Sequence, residues 1–503
     1  MNGILAFAGT GISFLSLEYL VFLLAAALVR YLCPERARAA VLLAFSWLFY
    51  AAWNPVCLLF LIFTTVSTYL TGRYVSGRSV RAALFLCVAA NLGVLFFCKY
   101  WGMFFPGIFE QRLLPVGISF YTLQALGYVV DCCREGKAAR ASAQASSGQN
   151  SSVREGGKTS GAAGPRFLTY ALFVSFFPGI LSGPIERGRN MLPQFEKPCD
   201  FSFDNLRNGL LIMTWGYFLK MVLADRIAIV VNQVYANPEG VPGTLVVLAV
   251  LLYSIQIYCD FAGYSAIAIG SARVLGFRVM QNFTAPYLSA SVAEFWRHWH
   301  ISLSTWFRDY LYFPLGGSRK GKARTYINVL IVFALSGLWH GAAMKYVLWG
   351  LLFGVFQVIG GLLTPAKQRL CAALHIPWDA GWLQIIRVVI TFGLSTFAWI
   401  FFRADSALQA CVIIKRIVTA AGACFPLDLT HLGLTERALH VLAVSLIGLV
   451  LTDIIGDRFP LREKLLETVW LRYAVWVILL AVTAVCGAYG TGFNPQEFVY
   501  FQF

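Results

Sequence analysis

Apolar residues fall along this chain in long uninterrupted blocks, not in the two-residue alternation of a half-buried strand. Candidate membrane-crossing blocks run Phe14–Tyr31, Val41–Trp53, Pro55–Leu70, Ala82–Phe105, Leu113–Val130, Phe167–Ile185 and Gly209–Val231. They continue at Gly243–Cys259, Tyr326–Trp339, Val347–Leu363, Ile385–Phe402, His440–Ile455 and Tyr473–Tyr489. A bilayer crossing takes about 20 apolar residues. With no ten-residue alternating pattern, each crossing must satisfy its own backbone as a helix, not as part of a barrel. Pro115 with Gly117, and Pro178, Gly179, Gly183 and Pro184, interrupt two of the blocks. These are expected to be broken or re-entrant, which is tolerated where protein buries the backbone or it lines a cavity.

Composition points the same way. Of 503 residues, 58% are hydrophobic and 13% charged, and the mean hydropathy is +0.68. A soluble domain carries about twice that share of charge. The fold class expected is therefore an all-α polytopic membrane protein. The net charge of +16 sits mostly in the links between blocks. Arg30, Arg36 and Arg38 lie at and beyond the end of the first block, Arg73, Arg78 and Arg81 follow the third, and Arg134, Lys137, Arg140, Arg154, Lys158 and Arg166 the fifth. The link at Asn54–Pro55 has none, so the alternation puts the N-terminus outside and those three loops in the cytoplasm. The basic stretch Asp457–Arg472 reads as cytoplasmic, with the C-terminus outside. The charge suits topology and anionic lipid headgroups. No soluble basic domain with aromatic platforms is present, so no nucleic-acid partner is expected. The 12 cysteines lie mostly inside the blocks without zinc spacing, as small apolar packers. No charged leader region or small-residue cleavage site opens the chain, and no cleaved signal peptide is expected.

One stretch differs from the rest. Residues 135–165 are rich in Ala, Ser and Gly with almost no large apolar side chain. Such a segment buries too little to offset its ordering entropy and is expected to be a disordered cytoplasmic loop. No other linker divides the chain, and no internal repeat is evident, so residues 1–503 read as one membrane domain.

Against this apolar background, EFWRHWHISLSTWFRDYLYFPLGG (Glu294–Gly317) crowds together two histidines, two arginines, two acids and three tryptophans. A helix through Glu294–Tyr312 would align Glu294, Arg297, His300 or Ile301, Ser304 and Arg308 on one face. Trp296, Trp299, Leu303, Trp306, Phe307 and Tyr310 would fill most of the remainder. An interfacial amphipathic helix accounts for the arginines as well as a site does, but His300 shares the stripe with Ser304 between bulky aromatics. His340 stands alone after Ile327–Trp339, a run that holds Asn328 and Ser336 and no charge. A lone apolar-face histidine is often a satisfied core group. Within a membrane, however, ionisable groups are costly and usually face a cavity or relay. Imidazole titrates near neutrality and can take and return a hydroxyl proton. Asp260, in YCDFAGYSAIAIG (Tyr258–Gly270), could orient a histidine, pair with an arginine, or form a structural ion pair. No H-E-x-x-H, P-loop or G-x-S-x-G motif is present, and His298-Trp299-His300 is not by itself a metal pattern. No metal is expected.

FWRHWHISLSTWFRDYLYFPLGGSRKGK followed by SGLWHGA resembles the membrane-bound O-acyltransferase superfamily. Within it the similarity is greatest to the alginate O-acetyltransferase AlgI-like branch, with the teichoic-acid D-alanyl branch (DltB) related. It extends to PVGISFYTLQALGYVVD (Pro115–Asp131), LFVSFFPGILSGPIER (Leu172–Arg187), DFAGYSAIAIG (Asp260–Gly270) and the closing FVYFQF (Phe498–Phe503), nearly the whole chain. The resemblance implies a ring of transmembrane helices around a thinned core, with an extracellular funnel and a cytoplasmic tunnel. It implies that His340 of the W-H-G motif is the catalytic histidine and His300 the second, supported by Arg297, Trp296 and Arg308. The chain departs from the pattern at Ala266, where the branch has Asp, at Ala343 and Met344 after W-H-G-A, and at His298, where a second arginine is usual. These bear on donor or acceptor specificity.

The activity implied is transfer of an acyl group, acetyl first, from a cytoplasmic thioester to a hydroxyl outside. His340 would be general base, with His300, Trp339 or a backbone N–H as oxyanion donor. No bound cofactor is expected; the donor, acetyl-CoA or an acyl carrier protein, is a substrate. The expected partners are that donor on the cytoplasmic side, an extracellular polysaccharide or a secreted SGNH-type transferase, and the lipid bilayer. D-alanyl transfer to teichoic acid is the nearest alternative. A transporter or flippase of envelope precursors would also have broken helices and midplane polar groups, but its inverted repeat is missing. On this reading the imidazoles at 300 and 340 converge on one passage through the lipid.

Overall fold

The computed structural model describes residues 11–75, 80–105, 114–147, 165–197, 200–419, 433–458 and 467–488. Every regular element among them is a helix. Seven of these helices are long and apolar enough to cross a membrane: Pro55–Val75, Arg81–Phe104, Gly243–Val274, Met344–Ala373, Gly381–Arg403, Glu436–Gly456 and Val469–Cys486. Other blocks expected to cross are shorter or broken, such as Leu17–Leu32 with 16 residues. The chain is a multi-pass, all-helical membrane protein. The chain forms two compact units, Met1–Gly209 with Ser271–Val279, and Leu210–Gly270 with Met280–Phe503.

In the first unit the interrupted block is broken as the prolines and glycines predict. Phe167–Ser175 stops, a single turn Phe177–Ile180 follows, and the buried chain runs on without helix to Arg187. Buried backbone without helical partners needs other partners, and side chains supply them. Ser46 Oγ accepts from the amide of Phe177 (3.2 Å), Gln124 Oε1 accepts from the amide of Glu186 (3.2 Å), and Gln124 Nε2 donates to the carbonyl of Phe173 (2.6 Å). Gly117 has φ +74°, and a Cβ there would run into the carbonyl of Ile180. Gly117→Ala is therefore expected to cost at least the ~1–2 kcal/mol of a left-handed non-glycine residue, with the collision added. A lower unfolding temperature of the purified variant in detergent checks this; an unchanged one counts against the tight approach.

The helix expected from Leu113 begins instead at Ile118, beyond Pro115 and Gly117, and runs to Ser147. It thus enters the stretch 135–165 that reads as a disordered loop. Residues 135–147 are helical because alanines at 138, 139, 141, 143 and 145 favour the helix intrinsically. Residues 148–164 lie outside the described residues. Arg30, one of the arginines that set the predicted topology, is buried, its guanidinium over the rings of Tyr31 (4.9 Å) and Phe277 (4.7 Å).

The second unit is held by large aromatic side chains. Trp349 stacks on Trp399 with centroids 5.5 Å apart, Phe295 stacks on Phe353 at 5.8 Å, and all four are buried. Lys322–His340 and Met344–Ala373 approach backbone to backbone at Gly337 and Gly350, where a Cβ would strike the carbonyls of Tyr346 and Phe333. The outward faces remain apolar, as lipid requires: Trp470 and Val485 are 86% and 83% exposed.

One expectation fails here. Glu294–Tyr312 is not a single helix. Val292–His298 ends, His300 takes φ +43°, Ile301–Phe307 begins anew, and Arg308–Tyr312 is a π-helical turn. The cause is a neighbouring extended segment. The amide of Thr284 donates to the carbonyl of His298 (3.1 Å), and the amide of Ile301 donates to the carbonyl of Asn282 (3.0 Å). In a continuous helix those two groups would bond to the amide of Ser302 and the carbonyl of Arg297. The polar stripe drawn from helical spacing consequently does not form.

Candidate active site

The break delivers His300 into the interior. Its ring is fully buried, edge-on to Phe261 with centroids 4.6 Å apart. His340 is the last residue of Lys322–His340, and its ring is 2% exposed. The helix stops there because Gly341 turns extended and packs against the Tyr346 ring, where a Cβ would not fit. His340 sits edge-on to Trp349 (4.9 Å) and Phe402 (5.5 Å). Trp339 connects the two imidazoles: its ring centroid is 6.2 Å from that of His300 and 4.9 Å from that of His340. Residues forty positions apart in sequence thus share one aromatic neighbour, inside protein and not against lipid.

The other residues singled out in the sequence divide into two groups. Trp296 joins the cluster one ring further out, packed on Trp349 (5.8 Å), Phe333 (5.3 Å) and Phe353 (5.1 Å). Ser304 secures the break, with its amide donating to the carbonyl of His300 (3.0 Å) and its Oγ donating to that of Trp299 (3.2 Å). Arg297 and Arg308 are exposed, unlike the buried histidines, and Arg308 Nε bonds its neighbour Asp309 (3.0 Å).

Asp260 pairs with a lysine, the structural ion pair among its expected roles. Its Oδ1 lies 2.6 Å from Lys220 Nζ, which also reaches Asp225 Oδ1 at 2.8 Å, and all three side chains are buried. Lys220 lies in a π-helical turn, Phe218–Ala224. The approach is close because Gly216 faces Gly263; a Cβ on Gly263 would come within 2.9 Å of the Gly216 carbonyl and 3.2 Å of the Lys220 amide. Phe261, next to Asp260, carries the ring that rests on His300. The charged trio therefore anchors the part of Gly243–Val274 that backs the site.

Two residues here escaped the sequence reading. Lys220 had a signal, a lone cation in an apolar run five positions before Asp225. Asn282 had none, since an asparagine in a non-helical stretch is ordinary. It is 1% exposed, and its Oδ1 lies 3.4 Å from His300 Nδ1 and accepts from Ser302 Oγ at 2.7 Å. Among the described residues, no three His, Cys, Asp or Glu side chains gather as metal ligands.

What this arrangement can do is proton chemistry in a site walled by aromatic rings. The model of the membrane-bound O-acyltransferase family matches residues 40–402. The chain is 34% identical, over 75% of its length and 69% of the other's, to the "Probable alginate O-acetylase AlgI" of Pseudomonas syringae pv. tomato. It is 30% identical to the protein of that name from Pseudomonas putida, over 94% of this chain and 96% of the other. It is 32% identical to the "Peptidoglycan O-acetyltransferase" of Helicobacter pylori, over 77% and 74%.

Proposed function

The chain belongs to the membrane-bound O-acyltransferase family, and from that premise we propose that it carries an acetyl group from a cytoplasmic thioester to a hydroxyl outside the cell. It is an O-acyltransferase of the bacterial membrane; donor, acceptor and the roles of single residues are the proposal's own. The observation that carries it is the shared contact of His300 and His340 with Trp339. Two imidazoles buried in the family-matched residues of a membrane protein are hard to explain as packing alone, because such groups are expensive there.

His340 takes the proton of the acceptor hydroxyl as that oxygen attacks the thioester carbonyl. A tetrahedral oxyanion forms, it collapses to the ester, and the departing thiolate regains the proton. Both substrates meet in one ternary complex, so no acyl-histidine is needed. The donor is acetyl-CoA or an acetylated carrier protein. The acceptor is an extracellular polysaccharide or the hydroxyl of a secreted SGNH-type transferase that relays the group. The apolar walls keep water away from the thioester and strengthen the electrostatic interactions within.

The test is purified protein in vesicles, offered acetyl-labelled CoA or carrier on one side and polysaccharide or partner on the other. Labelled ester with stoichiometric release of thiol is expected. Turnover with a D-alanyl carrier and none with acetyl donors would move the assignment to the teichoic-acid branch. Passage of label with the thioester intact would replace transfer by transport.

A further inference from the structure

The bond between Asn282 and His300 carries information about where the imidazole proton sits. An amide can be turned either way round, so its orientation must be read from groups whose polarity is not in question. The backbone N–H of Ser302 can only donate, and it faces Asn282 Oδ1 at 3.4 Å. Ser302 Oγ donates to the same oxygen at 2.7 Å. At the other end of the amide, Nδ2 donates to Ser265 Oγ at 3.1 Å. The atom 3.4 Å from His300 Nδ1 is therefore an oxygen that only accepts. In a neutral imidazole one nitrogen donates and the other accepts, so the proton must be on Nδ1.

We infer that Asn282 is a positioning residue that holds His300 as its neutral Nδ1–H tautomer. The inference rests on the reading of the site above, and it narrows that reading. A histidine whose only proton is committed to Asn282 cannot donate to an oxyanion. The oxyanion donor then falls to Trp339 or a backbone N–H. The backbone agrees with a held geometry. His300 keeps φ +43° at a cost of about 1–2 kcal/mol, and such strain persists only where surroundings over-determine it. Here Asn282 contributes twice, by its side chain to the ring and by its carbonyl to the Ile301 amide at 3.0 Å.

The test reads the tautomer directly. Protein labelled with 15N-histidine in lipid nanodiscs gives two-bond proton–nitrogen spectra, and the His300 signals are those that vanish in His300→Gln. A protonated Nδ1 with an unprotonated Nε2 is expected. Asn282→Asp keeps the accepting oxygen and should keep the Nδ1 proton. Asn282→Leu should free the tautomer and lower kcat for acetyl transfer by about 10–100-fold, the scale on which loss of the partner behind a metal-bound histidine acts, with KM little changed. A protonated Nε2 in the wild-type protein overturns the inference. So does an Asn282→Leu protein that keeps wild-type kcat. Should Asn282→Leu fold poorly, the wild-type spectrum decides alone. Wild-type transfer by His300→Gln would instead overturn the reading of the site, with the tautomer standing.

Discussion

His340→Ala is expected to lower acyl transfer by about 10²–10⁴-fold, the usual contribution of a well-placed general base. Insertion should be unaffected. His340 is the final residue of its helix, and the close approach of that helix to Met344–Ala373 rests on Gly337 and Gly350, not on the imidazole. Truncation leaves a small void between Trp349 and Phe402, whose rings also pack on each other at 5.0 Å. The variant should therefore purify at normal yield with its elution profile intact, and fail on labelled ester. His340→Gln, which fills the space without the basicity, should fail equally. Transfer at the wild-type rate by either variant would remove His340 from the role of base. The His300→Gln and His340→Ala losses should not add, because groups that act as a unit on one transition state are lost together.

How much of this could be read in the sequence varied with how local the cause was. Long apolar blocks gave the membrane helices, since a bilayer demands internal hydrogen bonding from any chain that crosses it. Pro178, Gly179, Gly183 and Pro184 marked a break that the structure contains. His340 stood out because a lone ionisable group in Ile327–Trp339 and its flank has few ordinary explanations. The failures were non-local. The spacing of Glu294, Arg297, Ser304 and Arg308 fits a helix, and nothing within the segment says otherwise. Its break comes from the backbone of Asn282 and Thr284, which captures two of its hydrogen bonds. Asp260 was noticed, with a structural ion pair among its expected roles, but nothing in its own segment named the partner. It lies forty residues earlier, at Lys220, brought near by two facing glycines that no periodicity reveals. Residues 135–147 continue the helix Ile118–Ser147, in keeping with the helix propensity of their alanines.

The charged trio makes the second large prediction. A single ammonium, Lys220 Nζ, lies between the carboxylates of Asp225 and Asp260, and all three side chains are almost wholly buried. Removing one partner from a buried ion pair costs about 3–5 kcal/mol, because the charge left behind is neither solvated nor matched. Lys220→Met leaves two buried carboxylates without their shared ammonium, so the upper part of that range applies. Against a total stability of about 5–15 kcal/mol, the variant should give little monodisperse protein in detergent, and what remains should melt far earlier. Neutralising the whole network is a different matter, since exchanging a complete buried ion group for uncharged residues of similar volume is often close to neutral. Lys220→Met combined with Asp225→Asn and Asp260→Asn should recover most of the yield. Because Phe261 then returns to its place against the His300 ring, acetyl transfer should recover with it. If the trio took part in the proton chemistry itself, the triple variant would be folded and inactive. If Lys220→Met alone were as stable as the wild-type protein, the carboxylates would have to be served by groups other than this lysine, and the anchoring role assigned to it would fall.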